Sequence, residues 1–100
     1  MKKFSEIQEI INTDYTYEPN GFTIGNIYND SNNNQWSGKI ASYAVINNLT
    51  NQETLELFGE HYQSVLDDPN GTGHANVRAL IKYGLTGVKF DNNKLLISKK

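Results

Sequence analysis

No cysteine occurs in these 100 residues, which removes disulfides, thiolate nucleophiles and cysteine-held zinc or iron–sulfur centres together. Proline is nearly absent too. Pro19 and Pro69 are the only two, so each marks a specific break in the chain. No apolar run approaches the roughly 20 residues of a membrane-spanning helix. The opening Met1-Lys2-Lys3-Phe4 imitates the charged start of a secretory signal, but Glu6 and Glu9 interrupt the apolar stretch that should follow. That interruption rejects a Sec signal. Basic charge is also short: nine Lys and Arg against eleven Asp and Glu leave a net charge of −2. A general nucleic-acid binder concentrates basic side chains on phosphates, and here the pairs Lys2-Lys3 and Lys99-Lys100 stand at the two ends. Neither a nucleic acid nor a membrane is expected as a partner.

Asparagine is abundant instead, densest at Asn32-Asn33-Asn34. Its short amide bonds its own backbone and favours turns and left-handed positions. The sequons at Asn29, Asn48 and Asn70 carry meaning only with export through a glycosylating compartment. A chain of this length has room for one core, so residues 1–100 are expected to form a single domain.

Apolar periodicity predicts an α+β fold of about four helices, a small antiparallel sheet and a C-terminal β-hairpin. Phe4, Ile7, Ile10 and Ile11 recur at helical spacing behind a Ser5/Gln8 capping pattern. Tyr15 to Gly21 reads as turn chemistry ending that helix, and Phe22 with Ile24 as a short strand returning at Ile27-Tyr28. A second helix starts near Ser37 and carries Ile40, Tyr43 and Ala44. Thr50 with Glu53 gives the clearest helix start in the chain. The third helix it opens places Leu55, Phe58, Tyr62, Val65 and Leu66 on one face and stops at Pro69. Val77, Leu80 and Ile81 mark a fourth, with Gly84 at its end. Val88 and Phe90, then Leu95 and Ile97, alternate across Asp91 to Lys94, the pattern of a terminal hairpin.

Several stretches have a recognisable combination: Lys39-Ile40-Ala41-Ser42-Tyr43-Ala44, Thr54-Leu55-Glu56-Leu57-Phe58-Gly59-Glu60-His61-Tyr62, the turn Pro69, Gly71-Thr72 with His74, Asn76 and Arg78, and Tyr83-Gly84 with Gly87 and Phe90. Together they resemble the HopJ type III effector protein family, in order and with few gaps from Phe4 to Phe90. Three positions depart from that pattern. Trp36 stands where the family has Gly, Gly38 where it has Cys or another small residue, and Gly73 where it has an acid. The last removes a carboxylate partner for His74 or Arg78. The resemblance implies a bacterial protein resident in the cytoplasm, exported by a type III apparatus where the effector role holds. It brings no catalytic residue to carry over, and a type III export signal has no sequence signature to test.

Candidate chemistry therefore rests on the residues themselves. His74, Asn76 and Arg78 stand at the start of the fourth helix, with His74 and Arg78 at i, i+4. A helix N-terminus offers free N–H groups and a positive dipole end, so this trio suits a carboxylate or phosphate, with Gly71-Thr72-Gly73 permitting close backbone approach. The structural alternative has Asn76 and His74 satisfying the Pro69–Gly73 turn while Arg78 pairs with Glu60 or Asp67. Glu60 and His61 are adjacent, so on a helix they diverge by about 100° and cannot share one ion. Two histidines without cysteine fall short of the usual zinc set. A calcium loop through Asp68 to Gly71 would put Leu66 and Val77 at ligand positions without side-chain oxygens. No metal and no cofactor is expected. Ser37-Gly38-Lys39 reads as helix capping rather than nucleophile and base. Trp36, at a loop–helix junction, either plugs the edge of the core or serves as a contact anchor, with Tyr15, Tyr17 and Tyr28 adding to an aromatic surface beside it.

Two functions follow. The first, a protein-interaction module using Trp36 and the aromatic loops, predicts an exposed aromatic patch and no deep polar pocket, with another protein as partner. The second, a small-ligand or hydrolytic site, predicts Glu60, His61, His74, Asn76 and Arg78 converging in a cleft with a perturbed pKa and a small anionic ligand. The first leans away from enzymatic activity.

Overall fold

The computed structural model describes residues 2–99. Met1 and Lys100, at the outer ends of the amino-terminal stretch and of the terminal basic pair, lie outside the described residues. Among the described residues the architecture is α+β, with five α-helices and small antiparallel sheets. Among the described residues no helix is long and apolar enough to cross a membrane.

Helix α1 (Phe4–Asp14) buries Ile7 and Ile11. It starts one residue before Ser5: Lys3 is the N-cap, and its N–H donates to the Glu6 carboxylate at 3.3 Å. The chain then enters strand β1 (Tyr15–Tyr17) directly, where turn chemistry alone was expected. Strands β2 (Phe22–Ile24) and β3 (Ile27–Asn29) form a hairpin across Gly25-Asn26. Gly25 holds φ 62°, which suits a hairpin turn with glycine in its first central position.

The two C-terminal strands are present as β4 (Val88–Phe90) and β5 (Leu96–Ser98), but they do not pair with each other. Strand β4 adds to β2, giving the order β3-β2-β4, and β5 pairs with β1. Leu95 explains the divergence. It is fully buried, and its N–H donates to Ser42 Oγ at 3.0 Å, so the chain dives onto a helix between the strands.

That helix, α2 (Gln35–Ile46), buries Gly38, Ile40, Ala41, Ser42 and Ala44. A Cβ on Gly38 would fall 2.6 Å from Leu95 Cδ2 and 2.7 Å from the Phe22 ring, so a side chain here would have to displace one of them. The helix begins at Gln35 behind Asn34, a left-handed residue at φ 52°, so Ser37 lies inside the first turn and is not the cap.

The Thr50 cap forms as read: Glu53 N–H donates to Thr50 Oγ1 at 3.1 Å, and Thr50 N–H donates to Glu53 Oε1 at 2.9 Å. The helix it opens does not continue to Asp67. It divides into α3 (Asn51–Glu56) and α4 (Glu60–Asp67) at Gly59, whose φ is 54°. A Cβ there would lie 2.7 Å from Phe4 N and 2.8 Å from Lys2 O, so the amino-terminal chain crosses the break. Leu66, expected on the apolar face with Tyr62 and Val65, is instead 49 % exposed. Helix α5 (Ala75–Tyr83) buries Val77, Ala79 and Leu80, and a short 3-10 turn (Leu85–Gly87) leads into β4.

Candidate functional site

Four helices begin around one open groove of about 380 Å³. Phe4 is the first residue of α1, Trp36 the second of α2, His61 the second of α4, and Ala75 to Val77 the first turn of α5. All of them line the groove, together with Asn34, Ser37, Phe58 and His74. Helix starts carry the positive end of the peptide dipole, and α2, α4 and α5 have no side-chain cap on their first-turn N–H groups. No carboxylate side chain is part of the lining.

The walls are aromatic. Phe4 stands edge-on to Trp36 at 6.0 Å between ring centroids and edge-on to His61 at 4.6 Å, and stacks with Phe58 at 6.4 Å. The His61 and His74 rings lie 5.0 Å apart at 45°. On another side of Trp36, the Lys39 ammonium sits 4.1 Å from the indole and 3.9 Å from the Tyr17 ring. Burial pushes the Lys39 amine down, while the two ring faces favour its charged form.

Buried amides hold the walls in place. Asn29 and Asn76 donate to each other through reciprocal side-chain hydrogen bonds of 3.0 Å, and Asn34 donates to Asn29 Oδ1 at 2.9 Å. One amide on β3 thus ties the start of α5 to the start of α2. Gln35 supports the same region by donating to the carbonyls of Asn20, Asp30 and Asn33 and accepting from the Tyr17 hydroxyl at 2.7 Å.

Of the six residues singled out in the sequence, Trp36, His61, His74 and Asn76 come together here, although the Asn76 amide is committed to Asn29. Glu60 and Arg78 do not line the groove. Glu60 accepts the Phe4 N–H at 2.6 Å, and that bond, with help from its own backbone and from His61 and Lys3, holds its carboxyl below the usual range. Arg78 donates to the carbonyls of Gly73 at 2.6 Å and Pro69 at 3.3 Å, fastening the α4–α5 turn. The turn is satisfied by Arg78, not by His74 and Asn76. His74 is the left-handed N-cap of α5 at φ 55°, outside the helix proper, so the i, i+4 argument does not bring it onto the Arg78 face.

Among the tyrosines, Tyr17 reaches Trp36 through Lys39, whereas Tyr15 packs on Tyr43 and Tyr28 donates to Asp91. Sequence reasoning missed Phe4, Asn29, Asn34 and Lys39 as parts of the site. Phe4 was read only as one residue of an apolar helix face, and nothing local announces that Asn29 is buried.

No hydrogen bond joins Ser37 or a carboxylate to either imidazole among the described residues, so no nucleophile–base–orienter chain of the hydrolytic kind is assembled. Nor do three or more His, Cys, Asp or Glu gather in metal-holding geometry among the described residues.

Comparison with known proteins adds the lineage. A solved structure of VPA0580, a protein of unknown function, superposes with a TM-score of 0.93 at 34 % sequence identity, covering 97 % of this chain and 81 % of that one. No curated protein matches. The model of one family, described as HopJ type III effector protein, matches residues 1–95. With nearly the whole sequence covered by that match, the chain belongs to the HopJ type III effector protein family.

Proposed function

We propose that this chain is a protein-interaction module, a single non-catalytic domain that holds a segment of another protein in the groove at the helix starts. One observation carries the reading: the rings of Trp36, Phe4, His61 and His74 run in succession along the groove at 6.0, 4.6 and 5.0 Å. Rigid aromatic surface is what protein recognition uses, because it offers large contact area at low entropic cost. The groove is open rather than deep, and Glu60 and Arg78 are occupied elsewhere, which favours recognition over the hydrolytic reading. Its place is the bacterial cytoplasm, with passage through a type III apparatus as the further step that family membership supports.

Trp36 is the only tryptophan, so its fluorescence reports the groove directly. Peptides selected by display against the intact protein are expected to shift that emission. His74→Ala should weaken them by about 2 kcal/mol, the scale of an interface hot spot. Arg78→Ala serves as the contrast. It removes a charged donor from two turn carbonyls and should lower unfolding stability by about 1–3 kcal/mol, while leaving peptide affinity intact. Selected peptides that bind His74→Ala unchanged and leave Trp36 emission unmoved would overturn the reading.

A further inference from the structure

The lining of the groove is chemically one-sided. Its lining holds no carboxylate: the titratable side chains within it are His61 and His74, with Lys39 behind Trp36. The carboxylates that stand near are already engaged, Glu60 by the Phe4 N–H and Glu6 by the Lys3 N–H. The whole protein carries a net charge of −2, so a lining without carboxylates runs against the overall balance. Complementary potential selects partners more sharply than contact area does.

From this charge pattern, and resting on the interaction-module reading, we infer that the groove takes an extended segment of a partner protein that carries a carboxylate beside an apolar side chain. The carboxylate lies at the imidazole pair, where the N–H donors of His61 and His74 and the first turn of α5 are available. The apolar side chain lies against Phe4, Trp36 and Phe58. A small free anion would satisfy the imidazoles and leave the aromatic wall wet, whereas a peptide segment satisfies both halves of the lining.

The test uses the intact protein and three synthetic peptides that differ at one position next to a fixed phenylalanine: Asp, Asn or Lys. Trp36 fluorescence gives the affinities, with inorganic phosphate as a separate ligand. The Asp peptide is expected to bind about tenfold more tightly than the Asn peptide, the Lys peptide more weakly than either, and phosphate not measurably. His61→Gln and His74→Asn should bring the Asp-to-Asn ratio close to one. Asn is chosen at position 74 because it tolerates the left-handed backbone there. Equal binding of the Asp and Asn peptides would overturn the charge inference and leave the aromatic groove as a recognition site. Phosphate binding at the imidazoles that the Asp peptide cannot displace would overturn it in favour of a free-anion site. Failure of all three peptides, and of peptides selected without bias, would overturn the interaction-module reading itself.

Discussion

Glu60 shows how one side chain can serve the site without touching what the site holds. Its carboxylate accepts the first N–H of α1 at 2.6 Å, which fixes Phe4 over the Gly59 break and so sets one wall of the groove. The same bond lowers the carboxyl's pKa, with smaller help from its own backbone N–H, His61 and Lys3. The sign of the linkage follows. A group whose folded pKa lies below its unfolded value stabilises the fold above the unfolded value and loses that contribution as pH falls through the folded one. Glu60→Gln keeps an acceptor and removes the charge. The thermal midpoint of the wild-type protein should therefore exceed that of Glu60→Gln at neutral pH, and the gap should close as pH falls below about 4, the ordinary range for Glu. Thermal denaturation followed by Trp36 fluorescence across a pH series measures it. A gap that stays constant with pH would mean that the charge adds nothing. Added salt should narrow the gap as well, because the carboxylate is exposed.

Between elements, the strongest specific tie at the groove is the amide pair of Asn29 and Asn76, 2 % and 6 % exposed. Removing either partner leaves a buried amide unmatched, which costs about 1–3 kcal/mol. Asn29→Ala should cost more than Asn76→Ala, because Asn29 also accepts from Asn34 and so holds the start of α2. Urea denaturation of both single variants and the double variant is expected to show a coupling energy of about 1 kcal/mol or more; strictly additive losses would mean that the pair does not act as a unit. This tie also marks where reading from sequence alone stops. The Thr50–Glu53 box was legible because capping is local, written in residues three apart. The break at Gly59 was not, because its cause is the amino-terminal chain passing more than fifty residues away in sequence. His61, His74 and Trp36 stood out by residue type and did converge. Arg78 and Glu60 stood out equally and turned aside, since whether a charged side chain faces a ligand or its own turn depends on carbonyls and N–H groups that no local spacing reveals.

At the scale of the whole molecule, the strands illustrate the same limit and suggest how the protein opens. Alternation placed β4 and β5 correctly as strands, but alternation carries no information about partners, and both partners come from the first third of the chain. The junction that separates them is Leu95, fully buried against Gly38, with its N–H on Ser42 Oγ and that hydroxyl donating to Gly38 O at 2.8 Å. The sheets it divides differ in support. Strand β2 has a partner on each side and buries Phe22 and Ile24 completely, whereas β1 has β5 alone and Ile97 remains 48 % exposed. Stability within one fold is distributed accordingly, with well-packed central strands exchanging only on global opening and thinly covered pairs opening earlier. Ser42→Ala removes the acceptor that the buried Leu95 N–H needs, at a cost of about 1–3 kcal/mol. Its effect should fall unevenly: in native-state hydrogen exchange, amides of β1 and β5 are expected to lose more protection than those of β2, because β5 hangs from the Leu95 junction while β2 is held from both sides. Equal losses in the two sheets would show instead that they open as one cooperative unit, with Ser42 contributing to the whole core rather than to the attachment of its last strand.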